Sequence, residues 1–303
     1  MDAVAVSDLV AALEGEGRVV NTGSDELVVG PADLRPGEPG ALSFSRTMDA
    51  SARSAVAATL SSVVLVPAGW GSGAGERAWV IEVEDPRTSY VRALNRFFTP
   101  EREVGIHPSA VVSPTAVVGS DVYLGPHVVV SDGVVLGDRC TLHAGVVVMP
   151  GVVTGDDLIV GPSSTLGFTG FGYARDTDGT PIPFPHYGGV RIGDRVEIGA
   201  NTCVDRGTLT DTVIEDDAKI DNLVHIAHNC RIGTGAFVIA HTILCGGVRV
   251  GAHAWVAPNS SVIEHVSIGD MATVGLAATV LRDVAPGAVV VGSPAKELPR
   301  PTE

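Results

Sequence analysis

The stretch KIDNLVHIAHNCRIG, residues 219–233, holds two histidines three residues apart, His225 and His228, beside the pair Asp221-Asn222. Imidazole takes up a proton near neutral pH, with an ordinary pKa of about 6.5, so either ring could serve as a general base. Other chemistries leave weaker traces. No GxSxG stretch marks a serine nucleophile. The four cysteines lack CxxC spacing, so neither a thiolate metal site nor a redox pair is indicated. A zinc site built from imidazoles would draw on His225, His228, His241 and His253, because zinc needs clustered neutral histidines.

The segment that must position these residues is laid out in sixes. Steps of six from Ile106 meet Val112, Val118, Leu124, Val130, Leu136, Leu142, Val148, Thr154, Val160 and Leu166. The count breaks across 167–191 and resumes at Ile192, Ile198 and Val204. It then slips by four and runs from Ile214 to Val280. Small residues stand four after each aliphatic, Cys140 and Cys230 among them, and glycine often follows the aliphatic directly, as at Gly119 and Gly125. Glycine there is expected to supply a corner with permissive φ. A period of six without intervening helices excludes a doubly wound α/β fold. It predicts a triangular prism in which each hexad is one short strand and one corner. Three hexads close a coil of 18 residues, and coils stack by parallel pairing about 4.8 Å apart.

Stacking then ranks the histidines. Ile226 points inward, so His225 and His228 point outward, with His228 near a corner. The residue 18 further on, directly above His228, is Gly246 in ILCGGV. A base and a bare backbone N–H about 5 Å apart, facing one gap, is what acyl transfer to an amine requires. The base removes the amine proton and the N–H stabilises the oxyanion of the tetrahedral intermediate. His265 shares a column with Asn229 and Gly247, within reach of a long ligand lying along the edge. The same stacking pairs none of the four zinc candidates with another, which disfavours the metal reading.

Composition sets the outer bounds. The 303 residues carry 35 acidic against 20 basic side chains, a formal charge of −15, which argues against nucleic acid or an anionic membrane as the main partner. No apolar run approaches the roughly 18 residues of a membrane span, and MDAVAVSDLV lacks the basic start of a signal peptide. The expectation is a cytoplasmic protein with free thiols. Residues 1–103 read as a small α/β domain, with helices in VSDLVAALEGEG, capped by Ser7 or Asp8 and stopped at Gly15 or Gly17, and in DPRTSYVRALNRFF, and strands in GALSFS, SSVVLVP and AWVIEVE. Residues 104–286 form the prism with the inserted loop 167–191, and 287–303 a short tail that leaves it.

With these features the chain resembles the hexapeptide-repeat acyltransferases. The resemblance implies a mainly β fold, a left-handed parallel β-helix with a small N-terminal α/β domain. Within that group, GFGYA, GDRVEIGA, the DRG before the slip, and IDN with IAHN resemble UDP-3-O-acylglucosamine N-acyltransferases of the lipid A pathway. DLVAAL, LSFSR, VVLVP and DPRTSYVRAL resemble the nucleotide-binding domain of the same family. By that resemblance His228 is the catalytic base, Gly246 the oxyanion-hole glycine, and His265 a second histidine near substrate. Asp221 would orient the amine or the base, and Tyr173 and His186 would border the sugar, His186 standing where the family usually has Gln. Phe44 matches a uracil-contacting Phe, whose usual Asn and Tyr companions are here Thr47 and Ala50. The family's C-terminal helices, which engage acyl carrier protein, have no counterpart in the sequence.

The ending VVVGSPAKEL instead resembles sugar acetyltransferases that use acyl-CoA, which implies that Lys296 meets a CoA phosphate. The expectation is therefore a homotrimeric N-acyltransferase with sites between prisms, needing no cofactor. It would move an acyl group from acyl carrier protein or CoA to a nucleotide-linked amino sugar. The alternatives are a non-catalytic trimeric sugar-nucleotide binding protein and a zinc enzyme like the γ-type carbonic anhydrases.

Overall fold

A hexad can place only two residues in extended conformation before the chain must turn, and the strands of the prism are accordingly two or three residues long for the most part. The computed structural model describes residues 3–13, 17–24, 27–71 and 77–297. The chain falls into two units, 1–102 and 103–303.

The second unit is a left-handed parallel β-helix with three sheets. Face one has eleven strands, from Gly105–Ile106 to Lys296–Glu297. Face two has nine, from Val111–Val112 to Thr279–Val280, and face three eight, from Val117–Val118 to Ser267–Ile268. The register is one coil of 18 residues, as in Val130 opposite Val148. The second residue of nearly every two-residue strand points inward, and Leu124, Leu142, Val160, Val204, Ile226 and Leu244 are fully buried. The small column packs beside them, with Cys140 and Cys230 in the core. Each such aliphatic is worth roughly 1.5–3 kcal/mol on burial.

The corners correct one expectation. Except at Gly167, where the insertion begins, glycine directly after the aliphatic does not serve a left-handed φ. It serves space: a Cβ at Gly119 would lie 2.5 Å from the carbonyl oxygen of Gly137 in the coil above. The left-handed position comes two residues later, where His127, Arg139, Asn229, His265 and others take φ between 53° and 64°. Between them lies a corner residue whose N–H is outside the ladder. Proline fills that position at 108, 114, 126, 150, 162 and 258, because nothing is lost with its missing donor. At the corner after face three, aspartates of the next coil cap it. Ser120 N donates to Asp138 Oδ1 at 2.7 Å, Asp138 N to Asp156 Oδ1 at 2.9 Å, and Asp156 N to Asp194 Oδ1 at 2.8 Å.

Both irregularities in the hexad count fall at one corner, between face two and face three. Leu166 pairs with Val204, 38 residues on, so the insertion adds about one further coil's length, including the antiparallel hairpin of Tyr173–Arg175 and Pro181–Pro183. Val204 pairs with Ile226, 22 residues on, which is the four-residue slip. The end of the chain also departs from expectation. The tail does not leave the prism at 287: Val289–Val291 adds a parallel strand to face one, and Lys296–Glu297 folds back antiparallel against it. The coil there is shortened by two residues, Val274 pairing with Val290, which is why the six-step count lost it.

The first unit has a five-stranded sheet in the order Gly17–Asn21, Trp79–Val83, Val63–Pro67, Ala41–Phe44, Gly30–Pro31, with only the first pair antiparallel. Helix Pro86–Phe97 starts as expected, with Asp85 accepting from the N–H groups of Arg87 and Thr88. Helix Ala50–Ala58, capped by Asp49, went unread, since its Ala- and Ser-rich sequence carries little apolar periodicity. Gly15, a candidate stop for the first helix, lies outside the described residues.

The aspartate-capped corner has an acid signature. The hydrogen bonds from Ser120 hold the Asp138 carboxyl below its usual range, and Arg195 does the same for Asp217. Carboxylates depressed in the folded state stabilise it fully above the unfolded value of about 4 and lose that contribution as pH falls through the folded value. Urea denaturation followed across pH 2–6 should therefore show stability falling below about pH 4, and Asp138→Asn should flatten that fall.

Candidate active site

The corner after face two runs Arg206, His228, Gly246, Glu264 in successive coils. Proline takes this corner position in earlier coils, at 114 and 150, but not in these. Gly246 keeps an N–H that proline would lack, and among the described residues that N–H has no acceptor. The His228 ring occupies the space a side chain at 246 would need: a Cβ there would lie 2.6 Å from His228 Cε1 and 2.8 Å from Nε2. The base thus lies directly beside the bare backbone of the residue that carries the uncommitted amide. His265 takes up the same relation to Gly247, where a Cβ would lie 2.5 Å from its Nδ1.

Asn229 fixes which imidazole nitrogen is free. Its Oδ1 accepts from Thr208 N at 3.2 Å and from Thr208 Oγ1 at 2.9 Å, and its Nδ2 donates to the Thr210 carbonyl at 2.9 Å. A backbone donor on one side and a backbone acceptor on the other leave the amide one orientation. His228 Nδ1 lies 3.0 Å from that same Oδ1, so Nδ1 carries the hydrogen and Nε2 presents its lone pair. Asn229 N in turn donates to Thr212 Oγ1 at 2.9 Å. Thr208 and Thr210 belong to the slip and Thr212 opens the strand that follows it, so the slip serves as the clamp for the histidine.

The inserted loop supplies the other wall. His186 packs edge-on against His228, with ring centroids 5.4 Å apart. His186 Nδ1 sits 2.8 Å from the Phe184 carbonyl, and its buried Nε2 has no partner among the described residues. Gly170 allows this closeness, since a Cβ there would lie 3.0 Å from His186 Nε2 and 3.1 Å from His228 Cβ. An open cleft of about 480 Å3 results, lined by Phe171, Asp205, His225, His228, Gly246 and His265 among others. Asp205 is buried, with His225 Nε2 3.7 Å from its Oδ2. Burial pushes its carboxyl up, against the pull of the neighbouring imidazoles.

The remaining candidates lie elsewhere. Asp221 stands at a different corner of its own coil, accepting from Asn222 N and Ala240 N, and does not line the cleft. Tyr173 is exposed, its ring 5.0 Å from that of Phe171 and tilted to it by 58°. Phe44, in the first unit, stacks on Tyr90 at 4.7 Å, an aromatic partner the sequence reading missed. Lys296 lines a separate cavity of about 550 Å3 together with Arg282. His241 and His253 occupy other corners, His253 over Gly235. Within the described residues no three His, Cys, Asp or Glu side chains are grouped as a metal site. Sequence reasoning also missed the roles in the site of Asn229 and Asp205. Their signals were the Thr-x-Thr-x-Thr run of the slip, facing the residue after His228, and an acid closing a strand where the next residues leave the ruler.

Comparison with known proteins gives the following. The hexapeptide repeat of succinyl-transferase matches residues 115–150 and 189–222. A protein of Delftia acidovorans named UDP-3-O-acylglucosamine N-acyltransferase is 43% identical over 243 residues, covering 79% of this chain and 72% of that one. A protein of the same name from Xanthomonas axonopodis pv. citri is 46% identical over 247 residues, covering 75% and 70%. Among solved structures, LpxA of Acinetobacter baumannii superposes with a TM-score of 0.59 at 25% identity, covering 64% of this chain and 73% of that one. The UDP-N-acetylglucosamine acyltransferase of Francisella novicida does so with a TM-score of 0.59 at 26% identity, covering 65% and 70%.

The clamp makes a prediction independent of catalysis. In 15N spectra of ring-labelled histidine above the titration range, His228 should show protonated Nδ1 and bare Nε2. Asn229→Leu should move the population toward the Nε2–H tautomer; an unchanged spectrum would remove Asn229 from that role.

Proposed function

The chain belongs to the UDP-3-O-acylglucosamine N-acyltransferase family of hexapeptide-repeat proteins, and on that footing we propose that it transfers an acyl group from a thioester to the amine of a nucleotide-linked amino sugar. The observation that carries this reading is the packing of the His228 ring, its Nε2 left bare by Asn229, beside the backbone of Gly246, whose N–H is uncommitted.

The steps follow from those two groups. His228 Nε2 takes a proton from the amine as nitrogen attacks the thioester carbon. The carbonyl oxygen becomes an oxyanion and receives the Gly246 N–H. Collapse breaks the C–S bond, and the proton held on His228 passes to the leaving thiolate. An amide and a thiol are the products, with no covalent enzyme intermediate. His265, further along the same cleft, contacts the substrate, and Tyr173 and His186 border the sugar. In the first unit the Phe44–Tyr90 pair offers a stacking surface to a base.

The donor is acyl carrier protein or CoA. Lys296 and Arg282 in one cavity suit the phosphates of CoA. We further propose a homotrimer. Asp221 stands at another corner of its own prism, so a substrate role for it requires clefts that lie between prisms. No helix among the described residues is long and apolar enough to cross a membrane, in keeping with a cytoplasmic enzyme.

Incubation with amino-sugar nucleotides and acyl thioesters, read by mass spectrometry, should yield the N-acyl product. His228→Ala should lower turnover by roughly 10²–10⁴, and Gly246→Ala should lower it as well by displacing the ring. Undiminished turnover in His228→Ala would refute the mechanism. Light scattering should return about three times the chain mass of 31.1 kDa.

A further inference from the structure

Asp205 lines the cleft, and the steps above leave it idle. Its side chain is only 10% exposed. Among the described residues no N–H or O–H donates a hydrogen bond to its carboxylate. Its one charged contact, His225 Nε2 at 3.7 Å, is beyond hydrogen-bond length. A largely buried carboxylate without protein donors is costly, and such polar groups are otherwise satisfied in nearly all cases. The neighbouring groups do not relieve it: His228 presents a lone pair at Nε2, and Glu264 is a further acceptor in the same cleft. The wall is rich in acceptors and asks its occupant for donors.

Resting on the acyl-transfer reading, we propose that Asp205 holds one N–H of the acceptor's amino group while His228 Nε2 takes the other, which makes the site selective for an amine over a hydroxyl. A primary amine has two hydrogens and one lone pair. With both hydrogens engaged, the lone pair is left for the thioester carbon, which is the orientation attack requires. The hydrogen on His228 departs as the transferred proton. The one on Asp205 stays on nitrogen and becomes the amide hydrogen of the product. A hydroxyl has a single hydrogen: if His228 receives it, the buried carboxylate faces oxygen lone pairs and stays unsatisfied. Sites built around a buried polar group discriminate strongly against ligands that leave it unpaired.

The test compares UDP-glucosamine with UDP-glucose, which differ by amine or hydroxyl at the reacting position. Calorimetric titration of the wild-type protein should show the amine bound at least about tenfold more tightly. In Asp205→Asn and Asp205→Ala that preference should shrink to about twofold or less, with affinity for UDP-glucose and melting temperature little changed. A merely structural role for Asp205 would weaken both ligands together. Absence of any amine preference in the wild-type protein, which needs no variant, or its persistence in the variants, would overturn the inference. Amine preference lost in the variants of a wild-type protein that forms no amide would overturn the proposed function alone. Amide formation with the preference unaltered in the variants would overturn only the role of Asp205.

Discussion

Parallel stacking of one coil on the next, with every backbone group of a two-residue strand paired above and below, is the constraint from which the prism and its site follow. Such stacking converts sequence distance into vertical position. Residues 18 apart become neighbours in a column, and a chemical group can be placed above another simply by counting. The corner position whose N–H stays outside the ladder is the one place where this scheme leaves a backbone donor over. Proline removes it in some coils and a capping aspartate holds it in others. At the third corner, after face two, Gly246 keeps it, beside an imidazole.

That third corner is also where the repeat is broken, and the breaks have a physical use. A perfect hexad has no spare residues with which to hold a side chain that points outward. The slip after Val204 brings Thr208, Thr210 and Thr212 around Asn229, and so sets the tautomer of His228. The insertion after Leu166 brings His186 and Phe171 to the opposite wall. Regular coils below and above supply rigidity, while the irregular residues between them supply positioning (an arrangement in which the scaffold and the site share one chain segment without sharing residues).

Much of this was legible from the residues in order. The column of aliphatics required the prism, and the count of 18 placed Gly246 over His228 without any side-chain information. Other parts were out of reach for definite reasons. Asn229 is held by a segment with no period, so its partners cannot be counted out. Asp205 closes a strand in the outward position, where charged residues are common, and only the lack of donors around it distinguishes it. The glycines after each aliphatic were read as backbone hinges, whereas crowding against the coil above accounts for them. The shortened coil near Val290 hid a strand because the count there changes by two. Helix Ala50–Ala58 buries little beyond Ala52, Ala55 and Val56, too small an apolar face to show in the sequence.

The back-folded strand Lys296–Glu297 has a consequence for the solenoid as a material. A stack of near-identical rungs is a template for its own continuation, and an open parallel edge at its end would invite the first rung of another molecule, building head-to-tail fibres. Reversing direction for two residues places a short, charged, antiparallel lip across face one. The lip offers an incoming rung the wrong polarity and a lysine and a glutamate instead of a row of valines.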